Sequence, residues 1–475
     1  MKKVTLEYRK RRISMADKGQ RPFGFRDKLG YLMGDFGNDF TFILSSSFLL
    51  KFYTDIMDVN AAIVGVIMMI ARFVDAVTDV TMGRICDRGK SGKNGKYRPW
   101  LLRMCGPVAI ASFLMYQSGL ASMPMTFKVI YLFITYILWG SVFYTSVNIP
   151  YGSMASAISP EPDDRQSLST FRSMGGLLAG MIIMVLVPLV VYKTLEDGTV
   201  VMDGGKFTML AGVFSVLAVG AYLLCYALTT ERVVPQVDKK TFESNSVGRM
   251  LRNAVINRSL LSIIAASIVM LLSQLTMQAM AGYVYPNYYG SATAQSASTG
   301  AMGIGMIIAA AIAKPIARKY GKAELSIGSN LFAGVMGIVT FIIRPQSVWV
   351  FVAMQFLCWF GLGVFTMISW ALITDVIDDA ELKNGIREDG SVYALYSFAR
   401  KIGQALSAGL SGFLLSAIGY TAETANLPKV KEGIFNISTL IPSLGFILLA
   451  LILWFWYPLH KKTVDENVRK LKEMR

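Results

Sequence analysis

The segment "AAIVGVIMMIARFVDAVTDVTMG" (residues 61–83) is apolar over most of its length. A helix needs about 20 mostly apolar residues to cross the hydrocarbon core of a bilayer, so this segment predicts a transmembrane helix. It nevertheless contains Arg72, Asp75 and Asp79. Ionisable side chains inside a membrane are energetically unfavourable, and they usually face a protein interior or a cavity. The segment therefore indicates both membrane insertion and a specific role for its charges.

Similar apolar stretches recur along the whole chain of 475 residues. The sequence is 53% hydrophobic and only 16% charged, and its mean hydropathy is +0.47, which a soluble protein of this length would not show. The chain is therefore predicted to be an all-α polytopic membrane protein with twelve transmembrane helices. The predicted spans are residues 29–53, 59–83, 100–120, 126–150, 171–193, 207–229, 259–285, 298–318, 324–343, 348–374, 393–418 and 434–457.

The basic residues are distributed unevenly between the two sides of these spans. If the N-terminus is cytoplasmic, 39 of the 47 Lys and Arg residues lie at or beside the cytoplasmic face, as the positive-inside rule requires. We therefore predict that both termini are cytoplasmic. The net charge of +16 then needs no nucleic-acid partner. The first 28 residues have no short apolar core followed by a cleavage site, so they are not interpreted as a signal peptide.

The predicted spans fall into two sets of six. A polar, basic stretch near the middle of the chain separates them, and short basic turns follow the second span (residues 83–100) and the eighth (residues 313–322). Two parallel six-helix repeats with a binding site between them are typical of the major facilitator architecture, although short cytoplasmic loops are basic in any polytopic protein. The expected organisation is an N-terminal segment (1–28), a first half (29–229), a linker (230–258), a second half (259–457) and a C-terminal tail (458–475).

Carboxylates within the first two spans are the first candidates for a binding site. Asp39 lies inside the first span, whereas Asp75 and Asp79 are four residues apart and share one face of the second helix. Two carboxylates this close stay ionised in a low dielectric only when a cation or proton accompanies them. Hard oxygen ligands of this kind suit H⁺, Na⁺ or Li⁺. The alternative is an ion pair between Arg72 and Asp75 that only joins helices.

Basic side chains occupy the fifth and eleventh spans. Arg172 begins the fifth span, and Arg400 and Lys401 lie within "YALYSFARKIGQA" in the eleventh. Each is long enough to reach the lipid headgroups, so snorkelling is one interpretation. Lys401 lies about two turns into its span, which favours a cavity. His460, the one histidine, is interpreted as a cytoplasmic surface residue.

Hydroxyl and amide side chains give the fourth span a polar face. These residues are Tyr144, Thr145, Asn148 and Tyr151, and "NIPYG" (148–152) is expected to break the helix. The chain contains no HExxH, GxSxG or Walker motif. Its four cysteines form no CxxC pair, so the sequence predicts no disulfide framework, metal site or cofactor. A transporter is favoured over an integral membrane enzyme or a channel.

Six motifs in order resemble the glycoside–pentoside–hexuronide:cation symporters, a branch of the major facilitator superfamily that includes the melibiose carrier. The likeness extends from about residue 28 to residue 460, and the final motif is most similar to bacterial glucuronide carriers. The motifs are "GDFGNDF" (34–40), "FYTD" (52–55), "ARFVDAVTDVTMGRICDR" (71–88), "GKYRPWLL" (95–102), "NIPYGSM" (148–154) and "GIREDGSVYALYSFARKIGQA" (385–405).

The resemblance assigns roles to individual residues. It implies a coupling-cation site at Asp75 and Asp79, with Thr78 and Thr145 as further ligands and Na⁺ as one cation the acid pair would hold. It also implies a sugar site, whose matching residues are Asp39, Arg172 and Lys401. The expected protein is a monomeric carrier that binds a sugar or glycoside and a coupling cation and works by alternating access.

Several positions depart from the melibiose carrier, and they bear on the substrate. Asn38 replaces a lysine, Asn148 a second sugar-binding aspartate, Gly152 a tryptophan, and Thr366 the tryptophan of the tenth helix. Asn38, Asn148, Tyr151 and Thr366 complete the candidate sugar site. Losing a carboxylate while keeping Arg172 and Lys401 favours an acidic glycoside such as a β-glucuronide. Thr78 replaces an amide, which makes coupling to H⁺ at least as expected as coupling to Na⁺.

Other cargoes on the same scaffold remain alternatives. They are a neutral galactoside or pentoside, a lipid and a drug. The Asp39, Arg172 and Lys401 trio favours a polyhydroxylated cargo over a lipid.

Overall fold

The computed structural model describes residues 21–474 except residues 90, 93, 234–256 and 385–388. Most of the predicted N-terminal segment and linker therefore lies outside the described residues, as does part of the "GIREDG" loop. Across the described residues there are twelve long helices, one for each predicted span, which confirms the all-α prediction. They are α1 (Phe25–Asp55), α2 (Ala61–Arg88), α3 (Arg98–Leu114), α4 (Met125–Ile158), α5 (Pro162–Val191), α6 (Gly204–Leu228), α7 (Arg258–Tyr288), α8 (Ala292–Tyr320), α9 (Lys322–Ile343), α10 (Val348–Asn384), α11 (Asp389–Ala417) and α12 (Pro428–Trp456).

Nine of these helices, within the described residues, are long and apolar enough to cross a membrane. The remaining three are α1, α3 and α11. Helix α3 has 17 residues, whereas α1 and α11 are long but carry charged residues in their middle turns, such as Asp39 and Lys401. Two of these three helices, α1 and α11, therefore hold candidate site residues.

Helix α4 does not end at "NIPYG", so that prediction is wrong. The helix continues through Pro150 to Ile158, and a π-helical segment, Leu138–Tyr144, precedes the proline. Proline removes a backbone hydrogen bond and strains the preceding turn. Here the Ser146 hydroxyl donates to the Val142 carbonyl at 2.6 Å, and the Gly140 carbonyl accepts from the backbone N–H of Thr145. Hydroxyl side chains and π-type turns are the usual means of satisfying carbonyls beside an intramembrane proline.

Small elements complete the two ends of the bundle. An antiparallel hairpin of β1 (Tyr192–Thr194) and β2 (Val200–Met202) connects α5 to α6, and Lys461–Met474 form a C-terminal helix, α13. Asp203 caps α6, and the hydrogen bond it accepts from the Lys206 N–H lowers the pKa of its carboxyl. Carboxylates at helix N-termini are stabilised by the free N–H groups and the helix dipole.

The described start of the linker packs onto the first half. The Glu231 carboxylate accepts three backbone hydrogen bonds at the start of α3, from the N–H groups of Lys96, Tyr97 and Arg98 at 2.7, 2.8 and 2.6 Å. The backbone N–H of Arg232 donates to the Ala157 carbonyl at 2.7 Å. The first residues of the predicted linker therefore pack against the first half.

Helices α2 and α11 bring the two halves into close contact. A Cβ atom on Gly412 would lie 2.3 Å from the Ala61 carbonyl oxygen, and one on Gly65 would lie 2.9 Å from the Ala408 carbonyl oxygen. Only glycine permits backbones to approach this closely. The contact lies near the ends of α2 and α11 that we predict to face outside.

A buried lysine extends this contact to α1 and α7. Lys51 is only 1% exposed. Its ammonium group pairs with Asp55 at 2.7 Å and donates to Asn287 Oδ1 at 2.6 Å and to the Tyr420 hydroxyl at 2.7 Å. Tyr420 in turn donates to Asp55 Oδ1 at 2.8 Å, and the ring of Tyr283 lies 4.3 Å from the ammonium nitrogen. We call this set the Lys51 network; it joins the first half to the second at the predicted external side.

Candidate functional site

The two acids of α2 each contact a different cation. Asp75 is mostly buried, and its Oδ2 pairs with Arg72 Nη1 at 3.3 Å. Its Oδ1 accepts a 2.5 Å hydrogen bond from the Ser141 hydroxyl, in the π-helical segment of α4. A Cβ on Gly140 would lie 3.3 Å from the same oxygen, so a small residue here lets α4 approach the carboxylate. The ion pair between Arg72 and Asp75, considered above as a purely structural alternative, is therefore present.

The second acid is held by the other half of the protein. The Asp79 carboxylate pairs with the Lys401 ammonium group of α11 and accepts a 2.8 Å hydrogen bond from the Thr145 hydroxyl of α4. The Asp79 side chain is 17% exposed and that of Lys401 is 34% exposed. The ammonium group of Lys401, which belongs to the second half, is therefore paired with one of the two acids of the predicted cation site. We call Asp75, Asp79, Ser141, Thr145 and Lys401 the α2–α4–α11 cluster.

Thr78 lies between these two acids in the sequence. Its hydroxyl donates to the backbone carbonyl of Asp75 at 3.1 Å, which is a bond within one helix turn. Such local bonds are usual for threonine in helices. The hydroxyl donor is thus directed along α2 in this structure.

A second cluster lies between α1 and α5. Arg172 Nε pairs with Asp35 Oδ1 at 3.0 Å, and its guanidinium carbon lies 5.2 Å from the centre of the Tyr151 ring. A Cβ on Gly152 would be 3.6 Å from Arg172 Nη1, so the position where the melibiose carrier has a tryptophan faces this arginine. The site acid that contacts Arg172 is Asp35, which the sequence analysis did not single out.

Asp39 lies one turn further along α1 and approaches α5 at the same place. A Cβ on Gly176 would be 2.4 Å from Asp39 Oδ2 and 3.1 Å from Asp35 Oδ2. One on Gly175 would be 2.2 Å from the Leu32 carbonyl oxygen. The two glycines therefore allow α5 to pack directly against the carboxylate face of α1. We call Asp35, Asp39, Tyr151, Arg172 and Gly176 the α1–α5 cluster.

An aromatic residue of α1 contacts α2 and α4. Phe42 follows Asp39 by three residues on α1, and its ring stacks on Tyr144 with centroids 5.8 Å apart. The guanidinium carbon of Arg72 lies 4.9 Å from the centre of the Phe42 ring. Cation–π contacts of this kind are strengthened where water is excluded, so Arg72 has the Phe42 ring as a partner in addition to Asp75.

Two of the predicted sugar-site residues are buried between helices. Asn38 is fully buried; it accepts a 2.8 Å hydrogen bond from the Tyr222 hydroxyl and donates to Asn148 Oδ1 at 3.5 Å. Tyr151 is also fully buried, and its hydroxyl donates to the Tyr31 carbonyl at 2.5 Å. Both contacts join α1 to neighbouring helices, so these residues hold the site walls together. Asn148 is only partly buried.

The C-terminal half contributes α10 and α11. The Thr366 hydroxyl donates to the Leu362 carbonyl at 3.0 Å, within α10. Lys401, predicted for the sugar site, contacts Asp79 rather than Asp39 or Arg172. Two contributors were missed from the sequence, Asp35 and Ser141. Asp35 had a signal, because it precedes Asp39 by four residues within the quoted motif; Ser141 had none.

Residues 30–461 match the family described as MFS/sugar transport protein. The chain belongs to this family. Among its relatives is "Uncharacterized symporter YjmB" of Bacillus subtilis, which is 30% identical over 96% of each chain. "Glucuronide carrier protein homolog" of Escherichia coli is 29% identical over 94% of each chain. "Putative sulfoquinovose importer" of the same organism is 29% identical over 94% of this chain and 95% of the relative.

Solved structures show the same fold at low sequence identity. A bacterial homologue of the lysosomal transporter Spinster superposes with a TM-score of 0.65 at 11% identity, covering 93% of this chain and 97% of that one. The D-xylose–proton symporter gives a TM-score of 0.61 at 13% identity, covering 91% and 97%. The protein is a multi-pass membrane transporter of the major facilitator fold and not an enzyme, as the sequence analysis predicted.

Proposed function

We propose that the protein is a cation-coupled symporter of acidic sugars in a bacterial cytoplasmic membrane, with H⁺ or Na⁺ as the coupling cation. A β-glucuronide is the first substrate to test. The observation that carries the proposal is the ion pair between Asp79 of α2 and Lys401 of α11. It places a positive charge of the second half directly on an acid of the first half, beside Asp75 and Thr145.

This ion pair gives a physical reason for coupling. A proton or Na⁺ that binds Asp79 must displace the Lys401 ammonium group, which then loses its counter-ion in a region of low dielectric. An unpaired charge in such a region is strongly unfavourable. A sugar that brings its own negative charge to the second half relieves that penalty. Cation and anionic sugar therefore favour each other's binding.

The charge of the substrate follows from the residues around the site. Arg172, Arg400 and Lys401 are basic, and the second carboxylate of the melibiose-type sugar site is replaced by the neutral Asn148. Two relatives at 29% identity carry the names of a glucuronide carrier homologue and a sulfoquinovose importer. Glucuronides carry a carboxylate and sulfoquinovose a sulfonate, so both names describe anionic sugars.

In the proposed cycle the α1–α5 cluster binds sugar hydroxyls and the α2–α4–α11 cluster binds the cation. Asp39 and Asp35 offer hydroxyl acceptors, and Arg172 offers donors. The Ser141 and Thr145 hydroxyls orient the two acids of α2. Rocking of one half against the other around this site would then move cation and sugar together.

Uptake by proteoliposomes tests the proposal. Labelled methyl β-D-glucuronide and a labelled neutral β-galactoside are each offered under an imposed pH gradient and, separately, under a Na⁺ gradient. We expect concentrative uptake of the glucuronide on at least one gradient. Preference for the neutral sugar would refute the acidic substrate, and failure to accumulate either sugar on either gradient would refute coupled sugar transport.

Charge-neutralising variants test the role of the ion pair. Asp79→Asn and Lys401→Met each leave one charge without its partner, whereas the double variant leaves none. We expect all three to lose accumulation and the double variant to be more thermostable than either single variant. Lys429→Gln, at an exposed position in the first turn of α12, is the matched control. Accumulation by Asp79→Asn at the control's level would refute the proposed coupling.

A further inference from the structure

Three side chains of α10 and α11 form a group that the cation site does not use. The guanidinium carbon of Arg400 lies 5.8 Å from the centre of the Trp370 ring and 5.9 Å from that of Tyr396. The two rings meet edge to face, with centroids 5.1 Å apart. Tyr396 is fully buried, whereas Trp370 is 44% exposed. The arginine therefore lies between two aromatic rings, and one of them, Trp370, is exposed.

Arg400 differs from the other basic side chains of the site in its partners. Arg72, Arg172 and Lys401 each contact a carboxylate, namely Asp75, Asp35 and Asp79. Arg400 contacts the two rings and, in the part of the chain that the structure describes, lies within ion-pair distance of no carboxylate. A guanidinium group remains charged in a protein, so a bound anion would supply the counter-ion that the described residues do not.

The surroundings of Arg400 combine a buried ring with polar side chains. Its guanidinium group rests against Tyr396, a fully buried ring, and not on an exposed helix end. Ser397 and Gln404 precede and follow it by three and four residues on α11, so they share its helix face, and both are at least partly exposed. On α10, Thr366 lies one turn before Trp370 and is also partly exposed. Polar groups beside an open aromatic ring are typical of small-molecule sites.

We infer that Arg400 binds the anionic group of the transported sugar and that Trp370 packs against the sugar ring. The guanidinium group can donate two parallel hydrogen bonds to a carboxylate or to two oxygens of a sulfonate. The indole face offers an apolar surface to the C–H side of a pyranose. This inference rests on the proposed function and names the residues of the second half that would select an anionic over a neutral sugar.

The inference also explains how Lys401 can separate from Asp79 at a low energetic cost. Arg400 precedes Lys401 directly on α11, so an anion bound at Arg400 lies on the helix that carries the displaced ammonium group. Lys401 leaves Asp79 when the coupling cation binds there. An anion on the same helix then reduces the electrostatic penalty of that step, because opposite charges within a few ångströms attract strongly where water is excluded.

Binding to the purified protein tests the inference separately from transport. Affinities for methyl β-D-glucuronide, sulfoquinovose and neutral methyl β-D-glucoside are measured by calorimetry for the wild type, Arg400→Gln and Arg400→Lys. We expect Arg400→Gln to weaken binding of at least one anionic sugar about ten- to hundredfold while changing the affinity for the glucoside less than threefold. Arg400→Lys keeps the charge and is expected to retain the preference for that anionic sugar.

The outcomes distinguish this inference from the proposed function. Equal losses for anionic and neutral sugars in Arg400→Gln, or no loss at all, would overturn the role of Arg400 even if the wild type accumulates glucuronide. Loss of the anion preference in Arg400→Lys together with a lowered melting temperature would show a structural role and would also overturn it. Selective binding of an anionic sugar by the wild type, lost in Arg400→Gln, would support the inference even if no gradient drove uptake. The sugar that shows the loss identifies a carboxylate or a sulfonate as the recognised group.

Discussion

Removing one hydroxyl group from the Lys51 network is expected to weaken contact between the halves at the predicted external side. Tyr420→Phe deletes the hydrogen bond that Lys51 donates at 2.7 Å and the one that Asp55 accepts at 2.8 Å. The ring stays, and so does its edge-to-face contact with Tyr283, whose centroid is 4.9 Å away. The substitution therefore changes polar contacts between the halves with little change in packing.

The magnitude follows from the charges at both ends of these bonds. A hydrogen bond to a charged group contributes about 1.5–3 kcal/mol, so two of them contribute at least about 3 kcal/mol to the state in which these ends touch. When the ends separate, Lys51 and Asp55 remain paired on α1, and water replaces the phenol. The substitution therefore destabilises the closed state and not the open one. A change of about 3 kcal/mol corresponds to about a hundredfold change in the equilibrium between closed and open external ends.

Alkylation of a cysteine at position 47 measures that equilibrium. Ser47 is buried between the halves, beside Gln278 of α7, so a membrane-impermeant maleimide reaches it only when the external ends open. The four native cysteines are replaced first. We expect Tyr420→Phe to raise the labelling rate by one to two orders of magnitude.

The matched control is another phenol-to-phenyl change at the same end of the molecule. The Tyr289 hydroxyl donates to the Pro345 carbonyl at 2.9 Å, within the second half, so Tyr289→Phe removes a hydrogen bond that does not cross between halves. We expect it to leave the labelling rate within about twofold of the parent. An unchanged rate in Tyr420→Phe, or an equal increase in the control, would refute the reasoning.

Four further predictions concern coupling, the linker and the helix contact. Asp75→Asn is expected to abolish gradient-driven accumulation while sparing exchange of internal for external sugar, and retained accumulation would remove this acid from the coupling site. Glu231→Gln should destabilise the protein by about 1.5–3 kcal/mol, because a charged acceptor of three N–H groups becomes neutral; thermal unfolding measures this against exposed Glu466→Gln. Gly412→Leu should increase the same maleimide labelling, since its Cβ would lie 2.3 Å from the Ala61 carbonyl oxygen, and unchanged labelling would contradict the close contact. With one coupling cation, a singly charged anionic sugar should be carried without net charge, so a valinomycin-set potential should leave its uptake unchanged but alter that of a neutral sugar.

The arrangement of spans could be predicted from the sequence because each apolar segment that crosses the bilayer must form a helix to satisfy its backbone hydrogen bonds. Twelve apolar stretches became twelve helices, and even the charged segment around Asp75 formed a single helix. The predicted break at Pro150 failed for a physical reason. The sequence shows the missing N–H of proline, but it does not show that the turns on both sides, including a π-helical segment upstream, keep their own helical bonds and carry the helix through Pro150.

The candidate site was less predictable, because its contacts depend on how helices distant in sequence meet. The spacing of Asp75 and Asp79 placed both on one face of α2, as helix geometry requires. No local pattern could show that Lys401, more than 300 residues away, would reach one of them. The same holds for Arg172, whose partner is Asp35 and not the more conspicuous Asp39. A choice between acids one turn apart depends on the approach of α5, which Gly175 and Gly176 set.

The charges of the site are divided unequally between the halves, and this division bears on coupling. The first half carries four acids and two bases, whereas the second half carries two bases, Arg400 and Lys401. The acids are Asp35, Asp39, Asp75 and Asp79, and the bases of the first half are Arg72 and Arg172. In the present contact Lys401 neutralises Asp79 across the interface. If the halves are to move apart there, the first half needs a replacement cation and the second half needs an anion. Under the proposed function, a transition with both ligands bound is therefore favoured over one with either alone, because only then does each charge of the ion pair gain a new partner.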